Sequence, residues 1–123
     1  MVVVDASALA AIAFGDDQAD DVVGRLEGED LHAPALFGLE MAHATLSRCR
    51  RSPARSNEFV AGFHRVLDLP IVLHEVPPLA AFALASNAGL SAYDASYLWL
   101  SRSLRAPLVT VDKKLLAVVR ADG

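Results

Sequence analysis

One cysteine, Cys49, is the only thiol in this chain of 123 residues. It cannot close an internal disulfide, so nothing ties the sequence to an oxidising compartment. Long apolar runs are also absent: none approaches the roughly 20 residues that a membrane helix needs. The opening MVVVDAS has no basic region before its valines and reaches Asp5 almost at once. That is not the pattern of a secretion signal. A cytoplasmic protein with no membrane segment is the expectation. Internal repeats and low-complexity linkers are missing too, and the length suits one domain over residues 1–123. None of the four histidines has a zinc-like partner spacing. A global excess of positive charge is lacking, since the formal net charge is -4. Nothing in the totals therefore marks a nucleic-acid binder.

What is present is apolar and unevenly charged. Hydrophobic residues make up 54% of the chain. That is enough for a real core, because a chain this long buries about two-thirds of its surface. The excess implies a surface that a partner covers. Asp16, Asp17, Asp20, Asp21, Glu27, Glu29 and Asp30 crowd one segment, which reads as a solvated helix face. Arg48, Arg50, Arg51 and Arg55 crowd another. These are candidates for contact with phosphate, with a solvated face as the competing reading.

In chain order, Val2-Val3-Val4 reads as a buried strand. Ser7 is expected to cap a helix that runs to Phe14 and stops at Gly15. A second helix is expected over 17–26, with Ala19, Val22, Val23 and Leu26 inward. Leu31 to Ala33 reads as a strand. Pro34 then opens a long helix over 35–51, with Leu39, Ala42, Leu46 and Cys49 as its buried stripe. Ser52-Pro53 starts another helix, which buries Phe59, Phe63, Val66 and Leu67. Ile71 to Val76 is a third strand, and Pro77-Pro78 opens a helix that runs to Asn87. Ser91 with Asp94 marks the next helix start. Tyr93, Tyr97, Leu100 and Leu104 recur at helical spacing on its buried face. Pro107 ends that element. Leu108 to Val111 follows as a strand, and Lys113 to Ala121 as a last helix.

Strands alternating with helices imply an α/β domain of three layers, with a short, mainly parallel sheet between helices. Right-handed crossovers put the carboxyl ends of all strands at one edge, where such sheets bind ligands. Asp5 ends the first strand and Asp112 ends the last. From Asp94 the helix runs away for roughly 15 Å, and the following strand returns roughly 16 Å. Asp94 and Asp112 therefore share an end. Glu40 leans back toward the start of its helix and so toward the same edge. Four acids converge.

Taken singly, each acid has a plain structural explanation. Asp94 completes a capping box, Asp112 and Asp5 can bond backbone amides, and Glu40 can face water. Taken together, they are harder to explain that way. Two carboxylates ~5 Å apart at an effective dielectric of ~20 repel by about 3 kcal/mol. A divalent cation turns that repulsion into attraction, and an all-oxygen site suits Mg²⁺, with Mn²⁺ as a substitute. His43, one turn after Glu40, reads as an orienting or structural residue. Ser7 and Thr110 stand two residues from Asp5 and Asp112, with local turn bonding as one reading and support of the metal site as the other.

The segments VVVDASAL, PALFGLE, SAYDASYLWLS and PLVTVDKKLL resemble the PIN domain, in the VapC-type toxins of bacterial toxin–antitoxin pairs. The resemblance runs over nearly the whole chain, in order. It implies a magnesium-dependent endoribonuclease, a homodimer, held inactive by a cognate antitoxin that wraps over it. It carries Asp5, Glu40, Asp94 and Asp112 over as the acidic site and makes the first strand central. Metal held by these acids would activate water against the RNA phosphodiester and leave a 5′-phosphate and a 3′-hydroxyl. Such domains usually add a short strand after the last helix, where this sequence stops at Gly123. A phosphoacceptor receiver domain would want an Asp after the third strand, where His74-Glu75-Val76-Pro77 has none. A phosphatase with a first-strand nucleophile would want Asp-x-Asp, which Asp5-Ala6-Ser7 does not supply. A catalytically silent PIN-like binding module stands as the alternative to the enzyme.

Overall fold

The computed structural model describes residues 1–122. Val2–Val4 form β1, and all three valines are buried, as a strand covered on both faces requires. Leu31–Pro34 form β2, Ile71–His74 form β3 and Leu108–Val109 form β4. The four strands make one parallel sheet in the order β3-β2-β1-β4. Val3 lies opposite His32 on one side and Leu108 on the other, so β1 is an interior strand.

The helices are α1 (Ala6–Phe14), α2 (Ala19–Leu26), α3 (Phe37–Arg51), α4 (Ser56–Leu67), α5 (Pro78–Ala88), α6 (Ala92–Leu104) and α7 (Lys113–Asp122). A 3₁₀ turn, Pro53–Arg55, joins α3 to α4. Right-handed crossovers place α1 to α4 on one face of the sheet and α5 and α6 on the other. The packing agrees: α1 lies against α2, α3 and α4, while α6 lies across β1, β2 and β4 and against α5. Chain direction across the sheet reverses between β1 and β4, because β2 and β3 are laid down on one side of β1 and β4 on the other. Such a switch point opens a crevice at the carboxyl ends of the strands. Asp5 and Asp112 follow the two strands that flank it.

Several expected details shift. Asp5, not Ser7, caps α1: its side chain accepts from Ala8 N, and Ser7 lies inside the first turn. The long third helix begins at Phe37 rather than Ala35, because Ala35 N donates to His74 O (2.8 Å) and stays with the sheet. The helix expected at Pro53 is first a 3₁₀ turn, and Ser52 makes no side-chain cap. β4 stops at Val109 rather than Val111. Side-chain hydroxyls take the next amides, with Val111 N donating to Ser7 Oγ (3.2 Å) and Asp112 N to Thr110 Oγ1 (3.1 Å). β3 stops at His74 rather than Val76. The extra strand that the resemblance implies after the last helix would lie outside the described residues.

The largest difference is the face that α3 buries. Phe37, Met41 and Thr45 point inward, and the expected stripe of Leu39 and Leu46 points out. A threonine can occupy the inner position because its hydroxyl is satisfied locally, donating to Met41 O (2.8 Å). Val23, Leu67 and Tyr93 are likewise exposed rather than buried.

Candidate active site at the carboxyl edge of the sheet

Asp5 is the fixed point of the site. It is only 3% exposed. Its Oδ1 accepts from Ala8 N (2.9 Å) and Ser7 Oγ (2.8 Å), and its Oδ2 accepts from Thr110 Oγ1 (2.5 Å). The two hydroxyl oxygens lie 3.2 Å apart. Because Ser7 and Thr110 also accept from the amides of Val111 and Asp112, they tie the end of β1 to the segment after β4. The structure thus places both hydroxyls on Asp5 and, through the backbone, beside Asp112. Asp112 Oδ1 in turn accepts from Leu115 N (3.0 Å) and caps α7.

Asp94 sits in the first turn of α6, where Ser91 Oγ accepts from its amide (3.1 Å). Glu40 sits in the first turn of α3. Capping and convergence therefore coexist in these acids. Like charges leave their mark: burial raises the Asp5 carboxyl above its ordinary range, and the Asp112 charge adds to the effect against the hydrogen bonds from Thr110, Ala8 and Ser7. Burial raises Glu40, with Asp94 and Asp5 adding and Tyr97 opposing. Burial raises Asp94, with Asp112 adding, while Ser91 and Lys114 oppose. The four acids are thus coupled pairwise, Asp5 to Asp112 and Glu40, and Asp94 to Asp112 and Glu40.

The donor set fits a hard divalent cation. All four groups are carboxylates, and Glu40 Oε1 is buried with no hydrogen-bond partner among the described residues. Among the described residues no three His, Cys, Asp or Glu side chains close a ready-made cage. The acids line an open site, which suits an ion such as Mg²⁺ that keeps several of its waters.

The arginines lie elsewhere. Arg48 pairs with Asp16 (2.6 Å) and covers the Phe14 ring at 4.9 Å. Arg55 forks onto Glu58 (3.0 and 2.9 Å) and covers Phe59 at 4.8 Å. Arg50 and Arg51 are exposed at the far end of α3, about 15 Å along the helix from Glu40. This cluster is at the opposite end of α3 from the acids, and two of its four members are already engaged within the fold. The cation beside the acids is Lys114, at the start of α7.

Two features of the site were not visible in the sequence. Tyr97, which spacing assigns to the core, is buried beside Glu40 with its hydroxyl unpartnered. A groove of about 660 Å³ opens alongside Glu40 and Ser7, walled by Leu36, Leu39, His43 and Tyr93. The outward turn of Leu39 and Tyr93 makes this wall, so it could not be found while both were assigned to the interior.

A parallel α/β sheet with a carboxylate-lined crevice at its switch point is the class that fold and site define. The model of the family described as "PIN domain" matches residues 2–121. Ribonuclease VapC9 of Mycobacterium tuberculosis is 37% identical over 119 residues, covering 94% of this chain and 88% of that protein. Ribonuclease VapC12 of the same organism is 30% identical over 115 residues, covering 94% and 89%. The crystal structure of PAE2754 from Pyrobaculum aerophilum superposes with a TM-score of 0.76 at 30% identity, covering 95% of this chain and 83% of that one. The chain belongs to the PIN-domain family, in its VapC ribonuclease branch.

Proposed function

We propose that this protein is a metal-dependent endoribonuclease that acts as the toxin of a toxin–antitoxin pair. The observation that carries the reading is the convergence of Asp5, Glu40, Asp94 and Asp112 at the carboxyl edge of a PIN-domain sheet. These four residues would hold Mg²⁺, or Mn²⁺ in its place, which when bound polarises the phosphate and lowers the pKa of a water. Ser7 and Thr110 hold Asp5 rigid and fix Asp112 relative to it. The N-terminus of α1, which Asp5 caps, favours that carboxylate in its charged form. Lys114 is placed to meet a phosphate beside Asp94.

The partners follow from the surface. Leu79, Phe82, Leu39 and Tyr93 are 84, 70, 79 and 63% exposed. Leu39 and Tyr93 wall the groove beside Glu40, and Leu79 and Phe82 stand on α5; this much exposed apolar area suits two coverings, a second copy of the chain and the cognate antitoxin. No helix among the described residues is long and apolar enough to cross a membrane, and cytoplasmic residence fits a protein whose substrate is cellular RNA.

The test is a cleavage assay on single-stranded RNA with millimolar Mg²⁺ or with EDTA. Parent protein should cut only with metal, and Asp5→Asn and Glu40→Gln should not cut. Folded parent that binds RNA yet leaves it intact with either metal would favour the silent binding module.

A further inference from the structure

Tyr97 lies on α6 one turn after Asp94 and is 1% exposed. Core packing accounts for its ring but not for its hydroxyl. A fully buried tyrosine ordinarily gives its O–H a partner, and Tyr97 Oη has none among the described residues. Glu40 Oε1, on α3, is in the same position. These two side-chain atoms are the buried and unpartnered ones among the described residues. One is a donor and the other an acceptor. They are also neighbours: the Tyr97 hydroxyl lies within hydrogen-bonding reach of the Glu40 carboxylate and of the Ala6 backbone. Asp5 and Asp112 have carboxylate oxygens held by fixed donors. Glu40 has no such completed bond.

We propose that Tyr97 is a positioning residue, whose hydroxyl donates to Glu40 Oε1 and aims the second carboxylate oxygen at the carboxyl edge of the sheet. A small rotation of either side chain completes the bond and satisfies both atoms at once. A phenol hydroxyl is a hydrogen-bond donor at neutral pH. The inference rests on the reading of Glu40 as part of the metal site.

The experiment uses full-length protein as parent, Tyr97→Phe, Glu40→Gln and the double variant. Each is melted in EDTA, titrated with Mn²⁺ by calorimetry and assayed for RNA cleavage. Tyr97→Phe removes the donor to Glu40 Oε1, so it should melt in EDTA at or a little below the parent temperature. It should bind Mn²⁺ about tenfold to a hundredfold more weakly, the usual effect of losing a group that orients a metal ligand. It should lower kcat and leave KM for RNA little changed. In the Glu40→Gln background the same substitution should add nothing, because the group it positions is gone. Equal Mn²⁺ affinity and kcat in Tyr97→Phe and parent, with Glu40→Gln impaired, would overturn the positioning role and leave the metal site standing. Unimpaired Mn²⁺ binding in Glu40→Gln would instead remove Glu40 from the site and the inference with it. A second readout does not depend on Tyr97→Phe folding. The chain has two tyrosines, so in Tyr93→Phe the tyrosine absorption belongs to Tyr97. It should shift on Mn²⁺ addition, and an unmoved band would also overturn the proposal.

Discussion

At the residue scale, each acid of the site answers to two demands. Asp94 shows how they separate. Its amide donates to Ser91 Oγ, a bond that Asp94→Asn retains. If that cap were its whole role, the variant would lose only the favourable charge at the helix N-terminus, a few tenths to about 1 kcal/mol, equally with and without metal. In a cluster of like charges the sign is reversed. In EDTA, Asp94→Asn should melt at or above the parent, and only the parent should gain strongly from Mg²⁺, because a ligand bound only by the folded state stabilises it. The pH dependence has the same origin. Asp5, Glu40 and Asp94 hold their protons more tightly folded than unfolded. Their contribution to stability is complete below the ordinary carboxylate range and is lost as pH rises through their raised values. Metal-free parent should therefore melt higher at about pH 5 than at pH 7. Melting scans at the two pH values, in EDTA, read this directly. A steady fall in melting temperature on acidification would count against the cluster.

At the element scale, the helices are positioned as much by what is missing from side chains as by what they carry. Gly62 is the clearest case. A Cβ there would stand 1.9 Å from the carbonyl oxygen of Ala13 and 2.7 Å from its carbon. Backbone atoms cannot yield as a side chain can. Gly62→Ala must push α4 off α1, the helix whose first turn holds Asp5 and Ser7. Overpacking of this kind costs roughly 3 kcal/mol, so urea unfolding should show a loss of that size. Gly24 is the control. It also lies within a helix, but a Cβ there meets nothing within 4 Å, so Gly24→Ala should stabilise by about 0.5–1 kcal/mol. Equal stability of Gly62→Ala and parent would contradict the close approach of α1 and α4.

The same scale shows how far the sequence could be read. The parallel sheet and the shared carboxyl edge that Asp5 and Asp112 follow were legible, because both come from alternation and from crossovers of one hand, whereas the central place of β1 came only from the resemblance to the PIN domain. The Val2–Val4 run and the Gly15 stop are local, and each appears where expected, with Gly15 in the left-handed region. The buried face of α3 was not legible. Apolar residues occupy more than one side of that helix, so periodicity permits two stripes. The choice fell to tertiary contacts that accept Thr45 and leave Leu39 and Leu46 outside. Arg48 and Arg55 illustrate a second limit. Their charge is visible in sequence, but their partners, Asp16 and the rings of Phe14 and Phe59, are set by the packing of α1 against α3 and α4.

At the scale of the whole molecule, exposed Leu39 and Tyr93 lie next to the half-buried Glu40. Glu40 and Ser7 belong both to the acidic edge and to the apolar groove that Leu39 and Tyr93 wall. A segment bound along that groove would bury Leu39 and Tyr93 and bring its own side chains to the carboxylates. An Arg or Lys there would neutralise the repulsion that metal otherwise relieves, by charge-assisted hydrogen bonds in a half-buried site. Such a segment would compete with both metal and RNA, and blocking the groove would silence the enzyme. The product of a small neighbouring gene should co-purify with this chain, and the saturated complex should neither cut RNA nor gain melting temperature from Mg²⁺. Leu39→Asp should weaken the complex at least tenfold, about 1.4 kcal/mol or more, because it puts a charge on the groove wall where an apolar side chain would be covered. The Arg or Lys of the partner could draw the new aspartate, so Leu39→Ala serves as the second variant, with a loss in the same direction. Full cleavage by the saturated complex, or undiminished binding by both variants, would show that the partner covers another face.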